Sequence, residues 1–160
     1  MSADMFLKIE GIEGESVDKK HAGEIDVLSW SWGMSQSGSM HISAGGGAGK
    51  VAVQDVSLTK YVDRSSPNLM QKCCTGEHYP EATLTVRKAG AEPLEYLVIT
   101  MKKVLVTSIS TGGSGGEDKM TENITLNFAD FASTYTPQAA DGSGGAKVEV
   151  AFSIAENVIL

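Results

Sequence analysis

The sequence lacks the features that define several protein classes. Its two cysteines, Cys73 and Cys74, are adjacent, so we expect no disulfide framework and favour a reducing compartment. No apolar run approaches the roughly 18 residues of a transmembrane helix, and the first residues lack the basic and apolar regions of a secretory signal peptide. With 13 basic and 20 acidic residues, the chain has no cationic excess for nucleic acid. We therefore expect a protein made in the cytoplasm that binds no nucleic acid and does not insert into membranes.

Motifs for catalysis and for cofactor binding are also missing. Residues 45–50, GGGAGK, resemble a phosphate-binding loop, but the pattern after them predicts a strand where such a loop needs a helix. Residues 112–116 match the G-x-S-x-G pattern of hydrolases, again without a following helix. The three histidines have no partners at metal-ligand spacing: they are His21, His41 and His78. We expect no enzyme, no cofactor and no metal site.

What the sequence does contain is one domain of 160 residues, 41% of them apolar, with a single convincing helix. We predict this helix over residues 67–75. Ser65 or Ser66 offers a cap, Pro67 suits the first turn, and Gly76 suits the end. The spacing predicts one packing face on this helix, made of Leu69, Met70 and Cys73, followed by Cys74.

The rest of the chain shows the alternation typical of β-strands. Strands are predicted over residues 5–10, 24–36, 51–60, 81–88, 94–101, 104–109, 121–128 and 147–154. A change of apolar phase indicates a bulge near residues 54–55. Long glycine-rich loops occupy residues 37–50, 110–120 and 139–146. The predicted fold is mainly β, with two antiparallel sheets closed into a barrel or sandwich and one flanking helix.

The strand predicted over residues 24–36 has two unlike faces. A period of two places four large apolar side chains in the core: Leu28, Trp30, Trp32 and Met34. The opposite face carries Ser29, Ser31 and Gly33, which are small and uncharged. Such a face is typical of a surface that approaches another closely or lines a cavity. It leaves two classes open, a structural assembly protein and a small-ligand-binding barrel without catalysis.

Four long runs of the sequence resemble one known family. They are MFLKIEGIEGES (5–16), EIDVLSWSWGMSQSGSMH (24–41), VQDVSLTKYVDRSSPNLMQKCCTGEHYPEATLTVRKAG (53–90) and STGGSGGEDKMTENITLNF (110–128). Together they resemble Hcp, the hemolysin-coregulated tube protein of the bacterial type VI secretion system. The likeness covers residues 5–128. It is weaker near the C-terminus, where Phe152 stands at a position at which the family commonly has tryptophan.

The resemblance implies a homohexameric ring with a wide channel. It implies that rings stack into a tube inside a contractile sheath, with a spike protein at the tip and small secreted effectors in the channel. It also implies export through the type VI machine without a signal peptide. In such a ring we expect Ser29, Ser31 and Gly33 to line the channel. The loop over residues 37–50 would reach the next ring through Met40, His41 and Ile42.

Overall fold

The computed structural model describes residues 3–41, 49–90 and 93–160, which form ten strands and one helix. The helix, α1, is Ser66–Thr75. The strands are β1 (Ala3–Ile9), β2 (Ile25–Ser31), β3 (Met34–Gln36), β4 (Val51–Val53), β5 (Val56–Tyr61), β6 (Tyr79–Lys88), β7 (Leu94–Gly112), β8 (Thr121–Tyr135), β9 (Val148–Ser153) and β10 (Val158–Ile159).

Six of these strands close into an antiparallel barrel. Their order is β8-β5-β2-β1-β6-β7, and β7 pairs again with β8 to complete the circle. Strands β9 and β10 extend the sheet beyond β8, while β3 and β4 form a separate two-stranded sheet. Strands β7 and β8, with 19 and 15 residues, are the longest and pair over almost their whole lengths. The prediction of a mainly β barrel with one helix is confirmed.

The barrel interior is filled by apolar side chains that alternate along each strand. Residues Ala82, Leu84 and Val86 of β6 are at most 4% exposed, as are Ile124, Leu126 and Phe128 of β8. Period-two alternation along the predicted strands 81–88 and 121–128 places these same residues on one face, which the structure turns inward. Leu7 and Ile9 of β1 join the same buried cluster.

Helix α1 begins one residue before its predicted start and ends where predicted. Gly76 closes it with φ 73° and its N–H bonds to the carbonyl of Lys72, as a left-handed C-cap should. The expected serine cap is not formed. The hydroxyl of Ser65 donates instead to Asp63, and that of Ser66 donates to Glu122, so both serines are committed to other partners.

Four predicted strand segments are divided or joined differently in the structure. The segment 24–36 is divided between β2 in the barrel and β3 in the small sheet, and 51–60 is divided in the same way between β4 and β5. The phase change near residues 54–55 therefore marks a change of sheet. The segments 94–101 and 104–109 are one strand, β7, interrupted in phase at Lys103, which has φ 55°.

Candidate functional site

A bulge in β2 decides which of its side chains face outward. Val27 pairs with Lys60, yet Ser29 pairs with Thr59, so Leu28 is an extra residue in the ladder. The strand reverses its phase there: Ile25 and Val27 are buried before the bulge, and Ser29 and Ser31 are exposed after it.

The predicted core of this segment is partly wrong. Leu28 is 39% exposed and Met34 is 48% exposed, so neither lies in the core as expected. Trp30 and Trp32 are partly buried and pack against the core cluster. Trp32 makes edge contacts with Phe131 and Phe128 at ring-centroid distances of 4.9 and 6.0 Å. A strict period of two could not place all four residues, because Leu28 is the inserted residue of the bulge and Met34 lies on β3 in the separate two-stranded sheet.

The strand register extends the small polar face of β2 across three more strands. Two rows of directly opposed residues run across β2, β5, β8 and β7. One row is Ser29, Thr59, Asn123 and Ser110, and the other is Ser31, Ser57, Thr125 and Ser108. We call these eight residues the hydroxyl face. All eight are uncharged, seven carry hydroxyl groups, and none is buried.

Hydrogen bonds within the hydroxyl face occupy several of its polar groups. Thr59 Oγ1 donates to Asn123 Oδ1 at 2.6 Å. The hydroxyl of Thr125 lies 2.7 Å from that of Thr107 and 2.6 Å from that of Ser108. Because side chains bonded to one another have fewer free donors and acceptors, this surface is wettable but offers little specific polar recognition.

Asp55 marks one border of the hydroxyl face. Its carboxylate accepts hydrogen bonds from Thr107 Oγ1 at 2.6 Å and from Asn127 Nδ2 at 2.9 Å. Both carboxylate oxygens are thereby engaged by side chains of β7 and β8. The charge of Asp55 is held at the border, and the rows themselves remain neutral.

The other predicted site residues occupy separate places. Gly33 lies in the connection from β2 to β3, where its carbonyl accepts a hydrogen bond from Gln54 N at 2.9 Å, and so is not in the hydroxyl face. Met40 is 90% exposed and His41 is also exposed, while Ile42 lies outside the described residues.

The helix-packing residues are buried to different degrees. Leu69 is 0% exposed and belongs to the core cluster. Cys73 is half-buried against that cluster, whereas Met70 is 38% exposed and Cys74 is exposed. Helix α1 packs on β7, so Leu69 is its main anchor in the barrel.

One end of the barrel contains a buried charged cluster that was not predicted from the sequence. Lys60 and Glu122 are 0% and 1% exposed, lie opposite one another on β5 and β8, and form an ion pair. Lys60 Nζ also donates to Tyr61 O at 2.9 Å and to Asp63 Oδ1 at 3.1 Å. Glu122 accepts from Ser66 at the start of α1. The available signal was the shared phase of Lys60 with buried Leu58.

Residues 3–41, 49–90 and 93–160 contain neither a metal-binding group of side chains nor a helix that could span a membrane. Within them, no group of three or more histidine, cysteine, aspartate or glutamate side chains could hold a metal ion. In the same parts of the chain, no helix combines the length and apolar character needed to cross a bilayer. Most of the glycine-rich segment 45–50 lies outside the described residues.

Comparison with known proteins gives a consistent set of similarities. A family described as "Type VI secretion system effector, Hcp" matches residues 6–135. The Pseudomonas aeruginosa protein named Protein hcp1 is 63% identical over 160 residues, covering 99% of this chain and 99% of that protein.

Solved structures share the fold over nearly the whole length. Hcp1 from Salmonella typhimurium is 38% identical with a TM-score of 0.82, and each chain is covered completely. A structure described as a type VI effector from Yersinia pestis is 34% identical with a TM-score of 0.77, covering 94% of this chain and 99% of that one.

Proposed function

Because the chain belongs to the Hcp family of type VI secretion proteins, we propose that it is a subunit of a secretion tube. In this proposal, homohexameric rings of the chain stack into an inner tube with a spike protein at its tip. A contractile sheath propels the tube, and small effectors travel in its channel. The family consists of secreted structural proteins, and the protein is not an enzyme.

The observation that supports this proposal best is the hydroxyl face. An outer wall in contact with bulk water tolerates lysine and glutamate, yet eight neighbouring positions on four strands have neither. A channel that carries varied cargo needs a surface that is wettable, small and weakly adhesive. We therefore assign Ser29 and Ser31, with the rest of the hydroxyl face, to the channel wall.

The small-ligand-binding barrel, which the sequence left open, has less support. Such a site needs a concave apolar pocket with a few converging polar groups. Leu7, Leu84 and Leu126 are all 0% exposed and occupy the barrel interior as part of one packed cluster.

An exposed apolar surface on the sheet extension supports ring assembly. Tyr135 pairs with Val148 across β8 and β9, and these side chains are 50% and 67% exposed. On the same face lie Val150 and, on β10, Ile159, which are 46% and 72% exposed. We call these four residues the apolar wing. A closed ring uses heterologous contacts, in which one surface of a subunit covers a different surface of its neighbour, and the apolar wing suits such cover.

Ring assembly can be tested on the purified protein. Multi-angle light scattering at micromolar concentration and physiological salt should give six times the chain mass of 16.8 kDa. Negative-stain images should show six-fold rings. A monomer under these conditions would contradict the proposal.

Val148→Asp should weaken the ring if the apolar wing is covered by a neighbour, whereas Val17→Asp, at a 96% exposed loop position, should leave it unchanged.

The channel assignment needs a separate test that reports position. Ser31→Cys in a Cys73→Ser/Cys74→Ser background should accept a large maleimide label whose density appears inside the ring. Density on the outer rim would refute the assignment.

A second variant tests what the channel wall does. Ser31→Gln should keep the hexamer but reduce effector co-purification, because six longer side chains narrow the channel. Ser114→Gln, in the exposed loop between β7 and β8, is the matched control and should bind effectors normally. Equal effector binding by both variants would show that the hydroxyl face does not contact the cargo.

A further inference from the structure

The long connection between β1 and β2 is a folded strap across the outside of the barrel. We call residues 11–24 the strap. Backbone hydrogen bonds close it on itself: Gly14 N donates to Gly23 O, Ser16 N to Glu24 O and Gly23 N to Ser16 O, at 2.8–2.9 Å. His21 and Asp18 of the strap contact Phe6 of β1 and Arg87 of β6, and neither of these strands carries the hydroxyl face.

His21 joins the strap to the barrel. Its ring stacks on Phe6 of β1 with centroids 4.4 Å apart and planes 9° apart, and the residue is 8% exposed. Its Nδ1 lies 2.8 Å from Glu24 Oε2, and its Nε2 lies 2.7 Å from Glu95 Oε1 on β7. One imidazole ring therefore faces two carboxylates, one from the strap's own end and one from the barrel wall.

The protonation state of His21 decides whether both contacts hold. An ionised carboxylate only accepts hydrogen bonds, so both ring nitrogens must carry a proton to satisfy both partners. A neutral imidazole carries one proton, and its other nitrogen then presents a lone pair to a carboxylate. Histidine is the side chain whose charge ordinarily changes between about pH 5 and pH 8.

Two other charged side chains near His21, Asp18 and Arg87, pair with each other. Asp18 of the strap accepts hydrogen bonds from the backbone N–H of His21 and from Arg87 of β6, at 3.2 and 2.6 Å. Arg87 also donates to Asp4 of β1 and lies over the Phe6 ring, with its Cζ 5.0 Å from the centroid. The pair of Asp18 and Arg87 holds the strap by groups that stay ionised between about pH 5 and pH 8, because each lowers or raises the pKa of the other in favour of its charged form.

We propose that His21 is a pH-sensitive switch. Its protonated imidazole binds Glu95 and holds the strap against β7, and the neutral imidazole releases the strap. The strap then stays attached through Asp18 and Arg87, through Glu15, which accepts from Arg64 N–H, and through Ile12, which packs against the core. Loosening should therefore be local and reversible, with the barrel intact.

Hydrogen–deuterium exchange of the whole protein, read by mass spectrometry on peptides from residues 11–24, tests the proposal. Rates are first normalised for intrinsic chemical exchange at each pH. Protection of the strap should fall about tenfold between about pH 5.5 and pH 8.5, the loss expected for one charge-assisted hydrogen bond. Peptides from β6 should show no such change. A strap whose protection is constant, or rises with pH, overturns the proposal.

Two variants distinguish a switch at His21 from a general loss of strap protection with pH. His21→Gln has no titrating ring, so strap protection should no longer depend on pH; an unchanged dependence would overturn the proposal. Glu95→Gln supplies an amide N–H that can donate to a neutral imidazole, so its strap should stay protected at about pH 8.5. Release of the Glu95→Gln strap equal to that of the original protein would also count against it. His78→Gln, an exposed histidine outside the strap, should behave as the original protein.

Discussion

Removing the charge of Lys60 should destabilise the barrel far more than a surface substitution. Lys60 is 0% exposed and its ammonium group contacts Glu122, Asp63, Ser66 and the carbonyl of Tyr61. In Lys60→Met, the carboxylate of Glu122 stays buried without its counter-charge. Breaking a buried pair from one side typically costs about 3–5 kcal/mol, because the remaining charge has lost its solvent and its partner.

The corresponding double variant should be much less harmful. In Lys60→Met/Glu122→Gln no charge of this pair remains. The glutamine oxygen can accept from Ser66, which bonds to Glu122 Oε1 at 2.5 Å, and the amide N–H can donate to Thr111 Oγ1, which lies 3.1 Å from Glu122 Oε2. Replacing both members of a buried pair is often nearly neutral. We expect a coupling free energy of about 2 kcal/mol or more between the two positions.

Thermal and urea unfolding, followed by circular dichroism at one fixed protein concentration, measure these differences. For a chain of 160 residues, a loss of about 4 kcal/mol lowers Tm by roughly 10–15 °C. Fixed concentration is needed because assembly into the proposed ring would itself stabilise the folded chain. The reasoning is refuted if Lys60→Met costs less than about 0.5 kcal/mol, or if the double variant loses the sum of the two single losses.

Three further predictions concern the helix, the strap and the loop after β3. Leu69→Ala should cost about 2–5 kcal/mol in urea unfolding, while Met70→Ala, at a 38% exposed position, should cost clearly less; similar losses would show that Leu69 is not the anchor. Hydrogen bonds from Arg87 hold the pKa of Asp18 well below its usual range, so Asp18 stabilises the fold above the unfolded-state pKa of about 3.9 and less as pH falls. The Tm advantage over Asp18→Asn should thus be steady near neutral pH and shrink below about pH 4, and an advantage that grows on acidification would contradict this. Deleting residues 40–49 should leave hexamers intact but prevent tubes in electron micrographs, and persistent tubes would remove the loop's stacking role.

The elements that sequence reasoning placed well are those whose pattern is local. Helix α1 has proline at its start, glycine after its end and apolar residues at helical spacing, and it was found within one residue at its start. The inward residues of β6 and the first half of β8 followed from plain alternation. In these segments tertiary structure imposes nothing that conflicts with the local signal.

The failures come from contacts between distant parts of the chain. The bulge at Leu28 is visible only in the pairing of β2 with β5, a strand about 30 residues further along the chain, and the residues around Leu28 carry no local signal for it. The full hydroxyl face could not be predicted either: Ser29 and Ser31 were identified, but their neighbours on β5, β8 and β7 depend on strand order. Partners of His21 lie up to 74 positions away.

The strand order has a consequence for the order in which this chain can fold. Strand β1 finds one of its two partners only in β6, and β5 finds one only in β8. During synthesis from the N-terminus, the early strands therefore keep unpaired edges until most of the chain has left the ribosome. The β7–β8 hairpin joins strands that are neighbours in sequence, so its pairing costs little loop entropy, whereas the circle closes only when β8 also meets β5. Exposed edges pair readily with other chains, so this interval is when the nascent chain is most open to aggregation.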